Sequence, residues 1–221
     1  MKISFLGHAG FLVETKSEFL IIDPWLTSAG AFLGGWHQYP CNHFILAELI
    51  EKFKKSSKQT TLYITHNHKD HYDEETLLKL ADYIDFVAIP KYKNQDLLRS
   101  IKEIFSKNVY QIKENEKQQF GKEISFEIFI EESQEPDSAI IISDDKNNVF
   151  VNLNDCKVQD RTTEIKEKYP KIDILAQQFS GAVSYPHCYI YNEEKMQLLA
   201  RNKRNLKIEN TVKIINQLSP N

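Results

Sequence analysis

The sequence has few cysteines, and the three it has are not spaced for pairing. Cys41, Cys156 and Cys188 form no CxxC pair in a chain of 221 residues, so reduced thiols are expected and a disulfide framework is excluded. No run of about 18 apolar residues occurs, which excludes a predicted membrane span. The N-terminal MKISFLGHAG lacks a continuous apolar region and a small-residue cleavage site. These absences predict a cytoplasmic protein.

An excess of positive charge is also missing. The formal net charge is -3, and a nucleic-acid surface needs clustered lysine and arginine, so the sequence predicts no nucleic-acid partner. The single basic cluster, Arg201, Lys203, Arg204 and Lys207, is interpreted as a solvated helix face. The oligomeric state is left open, and a small-molecule substrate is the expected partner.

The apolar pattern predicts a mixed α/β protein. The runs KISFL, FLVE and FLIID predict antiparallel strands, and the middle third alternates strands with helices, two of which are expected to begin at Asn42 and Asp73. Strands return with ISFEIFI, SAIIIS, NVFVNL and KIDILA, and the last 30 residues are helical in pattern. Without a linker or repeat, residues 1–221 are predicted to form one domain.

The segment TLYITHNHKDHYDEETLL, residues 61–78, concentrates metal-binding side chains between a strand and a helix. His66 and His68 point to the same side if the strand backbone stays extended. The chain must turn before the helix that starts near Asp73, so Asp70 and His71 can face a neighbouring position. This spacing suits two adjacent metal ions.

The ligand types indicate a catalytic centre. Imidazole and carboxylate suit zinc, and also iron or manganese, while the lack of nearby thiolates argues against a structural zinc. A bound metal would lower the pKa of a water, and Asp70 could orient that water and take its proton. A polar surface loop or a closed structural site are the alternative interpretations of the same residues.

The motif His66-Asn67-His68-Lys69-Asp70-His71 resembles the HxHxDH signature of the metallo-β-lactamase superfamily. The resemblance implies a four-layer αββα sandwich, two divalent metal ions, and a later bridging aspartate at a strand end. Asp155, after the run Val149 to Leu153, matches that position. It also implies that the chain is short at its C-terminus.

Other segments resemble one branch of that superfamily. FLGHAGFLVE and LIIDPWL are similar to ascorbate-6-phosphate lactonases, N-acylphosphatidylethanolamine phospholipases and the metallo-β-lactamase-like part of CMP-N-acetylneuraminate hydroxylases. GAFLGGWHQYP and QQFSGAVSYPHCY resemble the hydroxylases most. Those hydroxylases also carry a Rieske centre, whose ligand pairs are absent from this sequence, so an oxygenase activity would need a separate electron donor.

The sequence lacks the third histidine ligand that the family pattern provides for the first metal ion. Residues 72–154 contain no histidine, and Glu132, Glu135 or Asp137 could supply a carboxylate in its place. That substitution would make a harder site that suits iron or manganese better. His187, the single histidine after Asp155, is interpreted either as a ligand of the second metal or as a pocket residue.

Five more residues are candidates for the site, and for each a purely structural role explains the sequence equally well. His8, in a turn, could hydrogen-bond a ligand or Asp70, and Asp23 could support the site or cap a turn. Trp36 and His37, with neighbouring Tyr39, lie in a loop that could cover an organic substrate.

Three functions remain open on the sequence. The first is a metal-dependent hydrolase, with zinc as the expected metal, acting on a small polar, phosphorylated or sugar-derived substrate through metal-activated water. The second is an iron-dependent hydroxylase-like component for a nucleotide sugar. The third is a noncatalytic ligand-binding relative with an incomplete metal site.

Overall fold

Two β-sheets pack face to face in the computed structural model, which describes residues 1–106, 108–180 and 185–221. The first sheet has six strands in sequence order. β1 to β3 pair antiparallel, as the three N-terminal apolar runs predict, and β3 to β6 pair parallel. The strands are β1 Lys2–Gly7, β2 Gly10–Glu14, β3 Glu18–Ile22, β4 Gln59–Tyr63, β5 Phe86–Pro90 and β6 Val109–Ile112.

The second sheet has four strands in the order β10-β9-β8-β7. β7, β8 and β9 form an antiparallel meander, and β10 joins β9 in parallel. The period-2 pattern of ISFEIFI is realised, because Ile124, Phe126 and Ile128 share one face. The strands are β7 Ile124–Glu131, β8 Asp137–Asp144, β9 Val149–Asn152 and β10 Ile174–Ala176.

Helices cover the outer face of each sheet. Three of them cross over between the parallel strands of the first sheet, and two lie against the second. The C-terminal helix is the longest of those described, with 26 residues. The helices are α1 Phe44–Lys54, α2 Glu74–Leu80, α3 Asp96–Ile104, α4 Thr162–Lys168 and α5 Glu193–Leu218.

Three apolar clusters separate four layers. The first lies between α1 to α3 and the first sheet, the second between the two sheets, and the third between the second sheet and α4 and α5. β8 shows how one strand serves two layers, because Ile140 faces the other sheet while Ile141 faces the helices. The predicted four-layer αββα sandwich is thus confirmed.

One predicted helix start is wrong. Asn42 does not cap α1, whose N-cap residue is His43. The Asn42 amide instead donates hydrogen bonds to the carbonyls of Leu6 and Trp25, where it ties the loop before α1 to the first sheet. Asp73 is the N-cap residue of α2 as predicted, although its carboxylate accepts from Leu26 N and Thr76 Oγ1 and caps no helix amide.

The length and the apolar content of the helices were compared with those needed to cross a membrane. No helix among the described residues is both long enough and apolar enough to cross a lipid bilayer.

Candidate metal centre

The segment after β4 brings the three predicted histidines together. β4 is a buried parallel strand, and its neighbour β3 ends at the same edge of the sheet, so the chain leaves both strands on one side. The rings of His66 and His68 have centroids 4.4 Å apart, and those of His66 and His71 are 4.2 Å apart. His66 and His71 are buried, while His68 is partly exposed at the surface.

Two groups of donor atoms lie close enough to share a cation. One comprises His66, His71 and Asp155, and the other His8, Asp70 and His71, with the ligand atoms of each group within 4.8 Å of one another. His71 belongs to both groups. Its Nε2 lies 3.8 Å from Asp70 Oδ2 and 3.8 Å from Asp155 Oδ2. The aspartate chosen from the sequence at the end of β9 therefore reaches the histidine cluster from the opposite sheet.

Three buried atoms in this cluster have no hydrogen-bond partner among the described residues. They are His66 Nε2, His71 Nε2 and Asp70 Oδ1. Leaving a buried polar atom unsatisfied costs about 1–3 kcal/mol, so three such atoms in one place need an explanation. Two imidazole nitrogens and a carboxylate oxygen are donors to a divalent cation, and the residues present fit such an ion.

Asp23 orients His71. The Asp23 side chain is fully buried at the end of β3, and its Oδ2 accepts a hydrogen bond from His71 Nδ1 at 3.0 Å. Thr65 donates to the same carboxylate through its backbone N at 2.9 Å and its Oγ1 at 2.6 Å, and Asn154 Nδ2 lies 3.2 Å away. Because Nδ1 is bound to Asp23, Nε2 is the ring nitrogen of His71 that faces the cluster.

His66 is held in the same way by a different carboxylate. Its Nδ1 lies 3.1 Å from Asp137 Oδ1 and 3.0 Å from Thr65 Oγ1. Asp137 is buried and is the first residue of β8. The second sheet thus fixes the ring of a histidine that belongs to the first sheet, and it leaves His66 Nε2 facing the cluster.

The three carboxylates considered for the missing histidine differ in position. Asp137 contacts the outer nitrogen of His66, as described above, and Glu132 is exposed. Glu135 is also exposed, and its Oε2 lies 3.7 Å from Nε2 of His68. Of the three, Glu135 is the one placed beside a donor nitrogen that remains available.

His8 contacts the second donor group directly. It occupies the turn between β1 and β2 with a positive φ of 49°, and its Nε2 donates to Asp70 Oδ2 at 2.9 Å. Its ring centroid lies 5.3 Å from those of both Trp25 and His71. The hydrogen bond to Asp70 is the one considered for His8 on the sequence.

The electrostatics of the cluster favour a positive charge between its carboxylates. Burial disfavours the imidazolium form of His71, yet Asp23, with Asp70 and Asp155, raises its pKa to about 9. Burial opposes ionisation of Asp70, but His8 and the charge of His71 lower its pKa to about 2. The pKa of His68 is lowered, first by burial and then by the charge of His66.

Asp155 has a partner that the sequence analysis missed. Its Oδ1 accepts a hydrogen bond from Gln178 Nε2 at 2.6 Å, and Gln178 Oε1 accepts one from Lys207 Nζ of α5 at 2.7 Å. Gln178 follows β10, which is parallel to β9, so both strands end at the same edge. Gln178 could have been predicted as a site residue from its place just after the predicted strand KIDILA.

A loop of aromatic residues approaches the exposed side of the cluster. The ring centroid of Phe32 lies 6.4 Å from that of His68 and 5.0 Å from that of Trp36. His37 Nε2 donates to Gly34 O at 3.1 Å within the same loop, and Tyr39 is fully exposed. Trp36 is therefore connected to the cluster through Phe32, and His37 is bonded to its own loop.

The structure does not bring His187 into either donor group of the described residues. It is exposed and lines a cavity beside α5. Residues 181–184 of the segment QQFSGAVSYPHCY lie outside the described residues. Cys156 is buried, in agreement with its interpretation as a small core residue, and burial raises the pKa of its thiol.

Comparison with curated proteins gives relatives of more than one kind. The chain is 28% identical over 196 residues to the "Putative Rieske 2Fe-2S iron-sulfur protein" of Mycolicibacterium smegmatis. The aligned region covers 86% of this chain and 36% of that protein. It is 29% identical over 85 residues to the cytidine monophosphate-N-acetylneuraminic acid hydroxylase of Xenopus laevis, covering 37% of this chain and 13% of that protein. The chain thus spans about a third or less of the length of these relatives.

Solved structures share the fold at low sequence identity. CmlA, a diiron β-hydroxylase from Streptomyces venezuelae, superposes with a TM-score of 0.62 at 17% identity, over 99% of this chain and 43% of that one. An isothiocyanate hydrolase from Delia radicum gut bacteria has a TM-score of 0.55 at 14% identity, over 79% of this chain and 70% of that one.

The family model described as the beta-lactamase superfamily domain matches residues 2–202, most of the chain. This match agrees with the HxHxDH motif, the four-layer sandwich and the hydroxylase relative, and it confirms the resemblance on which the sequence analysis depended. The chain belongs to the beta-lactamase superfamily.

Proposed function

We propose that the protein is a metal-dependent hydrolase whose centre holds two divalent ions. His66, His68 and Glu135 would bind one ion, Asp70 and His71 the other, and Asp155 would contact both. The observation that carries the proposal is the convergence of His66 Nε2, His71 Nε2 and Asp70 Oδ1, three buried atoms without a partner among the described residues. His8 lies within reach of the second ion. His68, Glu135 and His187 belong to neither donor group, and His68 and Glu135 are assigned to the first ion by their 3.7 Å contact.

The metal would supply a water of lowered pKa and polarise the substrate. The chain's own residues orient and move the proton. Asp70 would contact the ion and also orient the attacking water and accept its proton, with its carboxylate held in place by the hydrogen bond from His8 to Oδ2. His8, whose side chain is 32% exposed, connects Asp70 to solvent. Phe32 and Trp36 form an apolar wall at the open side, where an organic substrate can lie.

Hydrolysis is tested with the metal-loaded protein on a panel of carboxylic esters, lactones and phosphodiesters under nitrogen. We expect turnover without oxygen, and Asp70→Asn should lower kcat by about 100-fold or more. Asp96→Asn, an equal change on the exposed start of α3, should leave kcat unchanged. Turnover that survives Asp70→Asn would contradict the assignment, and full metal occupancy without any turnover would favour the noncatalytic alternative.

One observation favours a second function, an iron-dependent hydroxylase-like component. Glu135, rather than an imidazole, lies beside Nε2 of His68. With it the donor set contains three histidines and three carboxylates, which suits iron or manganese better than a histidine-rich set does. The CmlA superposition shows that a protein of this fold is named as a diiron hydroxylase, but at 17% identity it supports the fold alone.

Metal exchange separates the two functions. Glu135→His should shift metal preference toward zinc, measured as the ratio of zinc to iron retained from an equimolar mixture. Glu132→His, three residues earlier and exposed, is the matched control and should leave the ratio unchanged. Oxygen consumption by the iron-loaded protein with a chemical reductant, coupled to hydroxylated product, would favour the hydroxylase and remove the hydrolase.

A further inference from the structure

A cavity of about 570 Å³ lies between α5 and the loop before it. α5 contributes Gln197, Arg201 and Arg204, which recur at i, i+4 and i+7 and so share one face of the helix. The loop contributes Pro186 and His187. The volume falls in the range of about 300–1,000 Å³ that is usual for small-molecule sites.

The lining of this cavity is basic and free of carboxylates among the described residues. Arg201 and Arg204 form no ion pair with any described residue, so their guanidinium groups remain available to a ligand. Gln197, a lining residue, donates a hydrogen bond from its Nε2 to Glu193 Oε1 at 3.2 Å. The lining itself contributes two arginines and a lysine.

Lys203 holds the wall of the cavity in place. Its Nζ donates to Tyr185 O at 2.6 Å, and the same nitrogen lies 5.7 Å from the centroid of the Tyr185 ring. The pKa of Lys203 is lowered, first by burial and then by the charge of Lys207 one turn further along α5. The loop and the helix are therefore joined on the same face that carries the arginines.

Two hydrogen bonds join Asp155 of the candidate metal centre to Lys207, a residue of α5 close to the cavity in sequence. Lys207 lies one helical turn beyond Arg204, about 4.5 Å along the axis. Its Nζ donates to Gln178 Oε1 at 2.7 Å, and Gln178 Nε2 donates to Asp155 Oδ1 at 2.6 Å. The basic face of α5 is therefore connected to Asp155 through Lys207 and Gln178.

We propose that this cavity binds an anionic group of the substrate, a phosphate or a similar dianion, while the bond to be broken lies at the metal centre. The proposal rests on the proposed metal-dependent activity and specifies its substrate class. Guanidinium groups recognise phosphate oxygens through paired, charge-assisted hydrogen bonds, and His187 can donate another. The volume of the cavity and the net charge of -3 favour a small molecule over a nucleic acid.

The test measures the binding of inorganic phosphate to the metal-loaded protein by isothermal titration calorimetry. Arg204→Gln should weaken phosphate binding by about tenfold or more, because a charge-assisted pair is lost. Lys213→Gln removes the same charge from an exposed position on the same helix and should change the Kd by less than about twofold. Both positions are exposed, so neither change should disturb folding.

Three outcomes would overturn the proposal. Equal phosphate affinity in the Arg204→Gln variant and the parent would mean that phosphate binds only at the metal. Absence of phosphate binding by the parent would remove the site. Much tighter binding of a single-stranded oligonucleotide than of phosphate, with a steep salt dependence, would indicate a polyanionic partner.

Metal analysis of the same samples keeps this inference separate from the proposed function. If the protein holds no metal but its phosphate binding depends on Arg204, the result supports the anion site and contradicts the proposed metal-dependent hydrolase. If the protein is fully loaded with metal but its phosphate affinity is the same in the Arg204→Gln variant, the result supports the metal centre and contradicts the anion site.

Discussion

At the scale of single residues, the buried carboxylates decide what the histidines can do. Asp23 and Asp137 each contact the outer nitrogen of one histidine and so direct the other nitrogen inward. The sequence around Asp23 is explained equally well by a turn. Its supporting role depends on hydrogen bonds to Thr65 and His71, which lie more than 40 positions further along the chain. Such contacts depend on how the strands align, which a local pattern does not reveal.

Asp23→Asn tests this supporting role. The amide keeps the shape but loses the charge that fixes the protonated Nδ1 of His71, so metal affinity should fall about 10- to 100-fold. The measurement is the metal Kd by competition with a chromophoric chelator. Asp144→Asn, a buried aspartate far along β8, is the control for lost stability alone, and its metal Kd should stay within about twofold of the parent. An unchanged Kd in Asp23→Asn would refute the role.

The candidate ligands could be predicted to different extents. His66, His68, Asp70 and His71 lie within six residues, so their proximity follows from the local chain, and Asp155 follows from the family pattern. Glu135 could not be chosen over Glu132 and Asp137, because the turn between β7 and β8 sets which carboxylate faces His68. Gln178 was missed because an amide in this position resembles any polar loop residue.

At the scale of elements, apolar periodicity predicted the strands and helices well, and helix ends less well. α3 and β7 follow their spacing closely, because one face of each packs on a sheet. Asn42 was assigned to the wrong role because its amide serves two carbonyls of neighbouring segments. In α5, Ile214 and Leu218 are buried while Val212 and Ile215 are exposed, a division that depends on how the helix lies against α4.

The attachment of α5 is tested by truncating its buried anchor. Leu218 is fully buried against the third apolar cluster, so Leu218→Ala should lower the free energy of unfolding by about 2–4 kcal/mol. Leu206→Ala makes the same change at a residue of α5 that is 60% exposed and should cost less than about 0.5 kcal/mol. Urea denaturation measures both, and equal effects would mean that α5 is not anchored in this way.

The turn between β8 and β9 predicts a pH dependence of stability. Burial favours the protonated form of Asp144, but the Met1 ammonium and amides of Asn148 and Lys146 lower its pKa to about 2. Since the unfolded pKa is about 3.9, this stabilisation is complete above that pH and is lost as the pH falls toward 2.

Asp144→Asn isolates this dependence. The variant should be less stable than the parent at pH 6 by about 2 kcal/mol, because charge-assisted hydrogen bonds are lost. The difference should shrink at pH 3, because the unfolded parent binds a proton at Asp144 below about pH 3.9 while the folded parent does not. Urea midpoints at the two pH values measure the effect, and a difference that grows on acidification would contradict it.

At the scale of the whole molecule, the two sheets together build the centre. The first supplies the histidine segment, Asp23 and His8, and the second supplies Asp137 and Asp155. The parallel strands β3 and β4 end at this edge, so unrelated stretches of sequence meet there. The family resemblance predicted this meeting, whereas composition and periodicity alone predicted only that strands and helices alternate.

The metal content of the purified protein, determined by elemental analysis on the parent and on His71→Ala, decides whether these side chains form a two-ion centre. We expect close to two divalent ions per chain in the parent and at most one in the variant, because His71 Nε2 lies beside both Asp70 and Asp155 and would bind the ion that Asp70 contacts. Asn67→Ala, an exposed neighbour in the same segment, should keep the parent's metal content. A parent that binds no metal from a zinc-, iron- or manganese-containing medium, or a His71→Ala variant with undiminished metal, would contradict it.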